Sequence, residues 1–194
     1  STASDVYKRQ IGAGVFGSAR LGVGLYIIHV LAAAITGLFF RVDGKCRGNA
    51  PAAPRESGGA LIESVRQAAQ SILSVCGFIV CFCVIIGLLD AHGIFSLLAG
   101  QLAQITGLEL HAARAALSGF LELGSGIGSM RGLAVSPANL AIAAGIVGWG
   151  GVSVHFQTYA VLADSDIKGG LHLAGRLINC AVSAALGYIF GLLL

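Results

Sequence analysis

The chain has 194 residues, enough for one domain or one membrane bundle and too few for several domains. Hydrophobic residues make up 56% of it and charged residues 11%, whereas a soluble domain has about 45–50% and about 25%. This balance excludes a disordered chain, a nucleic-acid-binding protein with a basic surface and nearly every soluble enzyme fold. The net charge of +3 is too small to indicate an anionic partner by itself. The composition therefore predicts an integral membrane protein surrounded by a lipid bilayer.

Residues 1–10 differ in character from the sequence that follows them. Ser1–Gln10 reads STASDVYKRQ, which contains two cations and one acid and has no apolar run. The segment DVYKRQ resembles the translation of a transposase mosaic-end adapter used in sequencing libraries. A genuine polar N-terminus is the alternative. We expect the native sequence to begin near Ile11, and residues 11–194 to form the C-terminal part of a longer transmembrane domain.

The first segment long enough to cross a membrane is Leu21–Phe40. It has 20 residues without a formal charge, and a helix of that length covers about 30 Å, the thickness of one hydrocarbon core. Arg41–Gly59 then contains more Lys and Arg than Asp and Glu, together with Pro and Gly, which is typical of a solvated loop. Because loops rich in Lys and Arg stay on the cytoplasmic side, we expect residues 41–59 to face the cytoplasm.

Three further segments follow, of unequal length. Gln67–Leu89 runs for 23 residues without charge and predicts a second span. Ile94–Ile105 has only 12 mostly apolar residues, which suits a re-entrant or interfacial helix better than a complete crossing. His111–Leu123 is helical by composition and stops at the Gly-rich run Gly124–Gly128.

The long uncharged segment Gly132–Ala163 is predicted to form a broken helix. It has 32 residues, more than one crossing requires, and its middle reads Gly148-Trp149-Gly150-Gly151. Each Gly lowers helix propensity by about 1 kcal/mol relative to Ala. Leu171–Leu194 is the last predicted span. Since no segment alternates with a period of two, we predict an all-α, polytopic membrane bundle with Gly-broken, re-entrant half-helices.

Three Gly-rich breaks carry the functional prediction. They are Gly12–Gly17, Gly124–Gly128 directly after Glu122, and Gly150–Gln157. At membrane depth, irregular backbone is tolerated only where it is buried in protein or lines a wet cavity. In secondary transporters, breaks of this kind form the binding site. Tight helix packing is the alternative interpretation of each Gly pair.

Polar side chains at the breaks Gly124–Gly128 and Gly150–Gln157 favour a binding site over packing. The residues assigned to a solute site are Glu122, Ser125, Gly126, Gly150, Gly151, Ser153, His155 and Gln157. A carboxylate near the middle of a membrane costs at least about 2.5 kcal/mol, so Glu122 needs a compensating role. A purely structural ion pair between Glu122 and Arg114, eight residues earlier, is the competing explanation.

Other cations have alternative roles in this scheme. Half-helix N-termini, together with Arg131 or Arg114, could hold a dicarboxylate. In the last span, Arg176 and Asn179 are expected to bind carbonyl groups that a break leaves free. Arg176 could instead extend to the membrane surface.

The sequence contains no recognisable catalytic, metal or cofactor motif. Cys81 and Cys83 lie in one apolar span and point away from each other on a helix, so they are poor co-ligands for zinc. Ser153, His155 and Asp164 lack the arrangement of a hydrolytic triad. We therefore expect a protein that is not an enzyme and that needs no cofactor or metal.

Two motifs at the breaks, FLELGSGI at Phe120–Ile127 and GGVSVHFQ at Gly150–Gln157, resemble elements of one family. These elements are the "LE-[LI]-T-x-G" and "GG-x-S-V-x-x-Q" motifs of sporulation integral membrane proteins of the YlbJ type. That family belongs to the nucleoside-recognition, or Gate, domain superfamily. Ile11–Arg41 also resembles the family's "IGAVGVGMFG…LxxHYLSxxxxGxxxR" stretch, and His29 falls on the family His. Gly124 departs from the pattern, because it stands where the family has Thr.

The resemblance implies a transporter-like protein built from inverted halves, of which this chain holds one part. The partner it implies is the N-terminal half of the same protein, which carries the family's "CNNSGP" break. By the same resemblance, the cavity would be lined by Glu122, Ser125, Gly150, Gly151, Ser153 and Gln157. In spore-forming bacteria the family is associated with movement of dipicolinate across the membrane around the forespore.

The leading functional hypothesis is a permease for a small polar or anionic metabolite, in a bacterial cytoplasmic or forespore membrane. Dipicolinate during sporulation is the specific form of that hypothesis. A non-transporting scaffold or sensor of a sporulation complex and an ion gate are the alternatives. Expected partners are the bilayer and a small solute, without nucleic acid, and assembly into a homo-oligomer is left open.

Overall fold

The computed structural model of the chain describes residues 14–40, 59–162 and 169–194. Within these ranges the chain is helical and has no strand, which confirms the prediction of an all-α bundle. The adapter-like segment 1–10, the predicted cytoplasmic loop at 41–58 and Asp164 lie outside the described residues. In chain order the helices are α1 (Ala19–Phe39), α2 (Ala60–Ala91), α3 (Ile94–Thr106), α4 (Leu110–Leu121), α5 (Leu123–Ser129), α6 (Pro137–Trp149), α7 (Val152–Leu162) and α8 (Gly169–Leu192).

Four described segments are long and apolar enough to cross a membrane, judged by length and composition. They are Ala19–Phe39, Leu61–Ala91, Pro137–Ala160 and Gly169–Leu192. The third consists of α6 followed by α7, interrupted at Gly150 and Gly151. Helix α3 has 13 residues, too few for a complete crossing, in agreement with its predicted re-entrant or interfacial character. The chain is thus an integral membrane protein by the length and composition of its helices.

Helix α2 presents apolar side chains on all sides. None of its membrane-crossing window is buried inside the protein. An apolar helix that is uncovered in this way requires a lipid environment. At its polar first turns, Arg66 binds Glu63 at 2.8 Å between Nη2 and Oε1. With 32 residues, α2 is longer than the roughly 30 Å hydrocarbon core requires, so its polar end extends beyond the apolar span.

Helices α6 and α8 form the centre of the bundle and run antiparallel. Their contact is a seam of small residues. A Cβ atom added at Gly187 would lie 2.7 Å from the carbonyl oxygen of Leu140, and one added at Gly191 would lie 2.5 Å from Cα of Pro137. Only Gly permits so close an approach of two backbones. The Gly187-x-x-x-Gly191 spacing therefore has a packing role.

An apolar core lies around this pair of helices. It draws on α1, α4 and α5 as well as on α6. Its buried members are Leu25, Ile28, Ala112, Ala115, Ile127, Met130, Leu133, Leu140, Ala143, Ala144 and Ile146. The core holds in place the ends of α4 and α6, where the helical backbone is interrupted.

Candidate functional site

Two breaks lie within the bundle, and the first of them separates α4 from α5 at Glu122. Its backbone is extended, with φ −142° and ψ 123°, so the helix cannot continue through it. The Glu122 carboxylate accepts hydrogen bonds from the backbone N–H groups of Gly124 at 2.8 Å and Ser125 at 2.6 Å. Glu122 is therefore the N-cap of α5, and its buried charge is satisfied by donors that the break itself exposes.

This capping bears on the alternative interpretation of Glu122 as half of an ion pair with Arg114. Arg114 instead donates to Asp90 at 2.7 Å and to Ser96 at 2.7 Å. These partners lie at the end of α2 and in the first turn of α3. The structure therefore does not contain the alternative Arg114–Glu122 pair, and the Glu122 carboxylate binds two backbone donors. Arg131 is exposed in the turn after α5.

Trp149, the last residue of α6, satisfies a carbonyl that the first break leaves free. In a continuous helix the Phe120 carbonyl would accept from the Gly124 N–H. Here that N–H binds Glu122, and the Trp149 indole Nε1 donates to the Phe120 oxygen at 3.0 Å. The Phe120 and Trp149 rings also stack, with centroids 5.3 Å apart and planes 5° apart. The sequence prediction did not assign Trp149 to the site, although a single indole donor within an apolar segment needs a partner.

The second break is formed by two successive Gly residues between α6 and α7. Gly150 and Gly151 have φ of 87° and 83°, a region that favours Gly over all other residues. The Gly150 N–H closes the last turn of α6 on the carbonyl of Ile146 at 2.8 Å. The predicted interruption of the long uncharged segment is thereby confirmed at the predicted residues.

The two breaks meet in space. A Cβ atom added at Gly151 would lie 2.9 Å from the backbone N of Leu123 and 3.2 Å from Cα of Glu122. The start of α7 thus passes directly over the junction of α4 and α5. Two interruptions that are separated in sequence form one crossing of irregular backbone, which we call the break crossing (residues 121–124 and 150–153).

Asn179 supports the second break from α8. Its Nδ2 donates to the Gly148 carbonyl at 3.0 Å, and its Oδ1 accepts from the Thr36 hydroxyl at 3.3 Å. Asn179 therefore binds a carbonyl freed at a break, as predicted. For Arg176 the structure gives a different position. A Cβ atom added at Gly150 would lie 3.8 Å from its Nη1, and no carbonyl of a described residue accepts from its guanidinium.

Ser153 and His155 bring buried polar atoms to the start of α7. Ser153 is 0% and His155 is 4% exposed, and neither Ser153 Oγ nor His155 Nε2 has a partner among the described residues. Leaving a buried polar group unpaired costs about 1–3 kcal/mol. The other His155 nitrogen lies 3.4 Å from Nε2 of His172, and the His155 ring packs edge-on against Trp149 with centroids 4.2 Å apart. These two side chains offer unused hydrogen-bonding capacity beside the crossing.

The remaining predicted site residues have different surroundings. Ser125 is half-buried, and its Oγ lies 3.4 Å from Cys83 Sγ on α2. Gln157 is half-buried one turn beyond Ser153. A Cβ atom at Gly126 would collide with the backbone of Gly119, so Gly126 serves the close contact of α5 with α4. The structure thus gathers Glu122, Gly150, Gly151, Ser153 and His155 at the crossing. It gives Gly126 a packing role.

The N-terminal break is only partly described. Gly12 lies outside the described residues, while Gly17 has a φ of 65° and interrupts the chain before α1. Val15 and Phe16 pack against the apolar core. The described part of this break therefore has a packing role.

Comparisons with protein-family models, with curated proteins and with solved structures give no match. Among the described residues, no group of three or more His, Cys, Asp or Glu side chains is placed to hold a metal ion. The chemistry available at the crossing is hydrogen bonding and charge, supplied by backbone groups, Ser153, His155 and the nearby Arg176.

Proposed function

We propose that this chain is part of a membrane permease for a small polar or anionic solute, which binds at the break crossing. The observation that carries the proposal is the contact between Gly151 and Glu122, with unpaired polar atoms of Ser153 and His155 buried beside it. Irregular backbone at membrane depth is characteristic of transporter binding sites.

Packing alone accounts for only part of this arrangement. Glu122, Trp149 and Asn179 together satisfy backbone groups at both breaks, so the crossing is stable without a solute. Ser153 Oγ and His155 Nε2, in contrast, have no hydrogen-bond partner among the described residues. A solute hydroxyl, amide or carboxylate that binds these atoms would recover the cost of leaving them unpaired.

The proposed mechanism is alternating access without covalent chemistry. The half-helices α5 and α7 begin at the crossing, and a rocking of one part of the bundle against the other would open it to one side at a time. The resemblance to the YlbJ type makes dipicolinate the first solute to test, in the full-length gene product that carries this chain.

Cysteine accessibility tests the proposal. In a variant without its five native cysteines, Ser153→Cys and Ser125→Cys should react with a membrane-impermeant thiol reagent, and dipicolinate should slow that reaction. Ala99→Cys is the matched control, because Ala99 is also 0% exposed but lies within the packing of α3. It should stay unreactive.

Resistance of Ser153→Cys equal to that of Ala99→Cys would contradict the proposal. In that case no aqueous path reaches the break crossing, and the result favours the alternative of a non-transporting scaffold or sensor. If Ser153→Cys reacts and dipicolinate does not slow the reaction, a solute path exists but dipicolinate is not its solute.

A further inference from the structure

A second feature lies between α1 and α8, at the end of the bundle where α1 ends and α8 begins. It is an open pocket of about 350 Å³, which we call the α1–α8 cavity. Its polar lining consists of Thr36, His172, Arg176 and Asn179, and its apolar lining includes Ala33 and Phe40. Both helices thus contribute polar side chains, and α8 contributes the cation, Arg176.

Arg176 is the unusual member of this lining. It is half-buried within a membrane-crossing helix, where a cation is costly unless it is paired. The ion pairs among the described residues are Arg66–Glu63 and Arg114–Asp90, so no described carboxylate neutralises Arg176. A guanidinium binds carboxylates through two parallel N–H···O bonds, which suits it to an anionic ligand better than to a neutral one.

The other polar groups of the cavity support the same ligand class. His172 can donate a hydrogen bond to a ligand. The hydroxyl of Thr36 already donates to Asn179, whose amide is thereby fixed between Gly148 and Thr36. The cavity is lined by the first turns of α8, a helix of 24 residues whose N-terminal end carries partial positive charge. Among the described lining residues, Arg176 is the charged side chain, and no Asp or Glu is present.

The cavity also adjoins the break crossing. Arg176 lies against Gly150, because its Nη1 would be 3.8 Å from a Cβ atom added at Gly150. His172 contacts His155, whose ring packs against Trp149. A ligand held by Arg176 would therefore lie beside the unpaired polar atoms at the start of α7.

We infer that the α1–α8 cavity is an anion subsite, in which Arg176 binds a carboxylate of a small solute with a hydrogen bond from His172. This inference rests on the proposed function and narrows its solute to a carboxylate. It moves the anion away from the N-terminus of α5, where the Glu122 carboxylate already occupies the donors and would repel it.

Equilibrium binding of radiolabelled succinate to the purified full-length gene product tests the inference. Succinate should bind saturably, and its neutral isostere succinamide should not compete. Arg176→Gln should weaken succinate binding by about tenfold or more, because a charge-assisted bond is lost, and Arg176→Lys should fall in between. Arg66→Gln is the matched control, since Arg66 is an exposed cation at the end of α2. It should bind succinate as the wild type does.

Three results would overturn the inference. The first is Arg176→Gln binding with wild-type affinity. The second is no binding by the wild type together with binding by a variant in which Asp164 and Asp166, outside the described residues, are changed to Asn. Arg176 would then be neutralised by the chain itself. The third is competition by phosphatidylglycerol nanodiscs but not by phosphatidylcholine nanodiscs, which would assign the subsite to a lipid headgroup.

Folding and function are separable in this design. Size-exclusion profiles and melting temperatures of the variants show whether a loss of binding is a loss of fold. Succinate binding that depends on Arg176, combined with an unreactive Ser153→Cys, would keep the anion subsite and reject the permease. A reactive Ser153→Cys without succinate binding would keep the permease and reject the anion.

Discussion

Gly151 lies so close to Glu122 that a Cβ atom added to it would be 3.2 Å from the Glu122 Cα. The contact joins two interruptions that are almost thirty positions apart in the sequence, and it fixes where α5 and α7 begin. It also makes position 151 intolerant of any side chain, because Gly151 has a positive φ as well.

Gly151→Ala should therefore destabilise the protein. The positive φ alone costs a non-Gly residue about 1–3 kcal/mol, and the approach to the Leu123 N adds a steric cost. Thermal unfolding in detergent measures the effect. Gly128→Ala is the matched control, because no atom lies within 4 Å of a Cβ added there. Equal melting temperatures for the two variants would show that the breaks do not meet as described.

Glu122→Ala should be more harmful than Glu122→Gln. Alanine leaves the N–H groups of Gly124 and Ser125 without an acceptor, and loss of an N-cap costs about 0.5–2 kcal/mol. Glutamine keeps one acceptor oxygen and should preserve most of the stability. Melting temperatures of the two variants check this order.

Because Glu122 belongs to the proposed solute site, Glu122→Gln should change dipicolinate uptake into proteoliposomes while the protein stays folded. Gln157→Ala, in the same assay, tests the other polar residue of the predicted set. Unchanged uptake in both variants would remove them from the solute site and leave Glu122 with its capping role.

Trp149→Phe isolates the hydrogen bond between the two breaks. Phenylalanine retains ring stacking with Phe120 but cannot donate to its carbonyl, so a buried acceptor is left unpaired. The expected loss is about 1–3 kcal/mol. Because the chain has a single Trp, circular dichroism is the suitable probe of unfolding. Phe39→Leu, at a ring that is 72% exposed, is the control and should cost less.

The sequence was sufficient to predict the long helices and the interruption at Gly150 and Gly151. The predicted break at Gly124–Gly128 was misplaced, because these residues are helical within α5 and the interruption lies at Glu122. Long uncharged runs predict the spans, and the Gly-rich run Gly148–Gly151 predicts the end of a helix. Both predictions depend only on residues close together in the sequence. The meeting of Gly151 with Glu122 is not local, and no spacing rule predicts it. The same limit explains Arg114. Its position suggested Glu122, but Asp90 on another helix lies 2.7 Å away.

Two further differences arise from tertiary packing. Gly126 was assigned to the solute site because it lies in a Gly-rich run next to Glu122. In the structure its lack of a side chain allows α5 to approach Gly119 closely. Arg176 was expected to bind a carbonyl or to extend to the membrane surface, and no described carbonyl accepts from its guanidinium. It lies against Gly150 because α8 packs along α6, and sequence alone did not reveal this proximity.

The seam between α6 and α8 has a mechanical consequence. A methyl group added at Gly187 or Gly191 would collide with the backbone of α6, so any side chain there would force the two helices apart. Helix α7 packs mainly against α2, through Phe156 on Phe78 and Phe82 with centroids 6.3 and 5.9 Å apart. In the proposed alternating-access mechanism, Gly150 and Gly151 would be the hinge between the closely packed α6–α8 pair and α7, so the thickness of the bilayer around α2 should influence how readily this hinge turns.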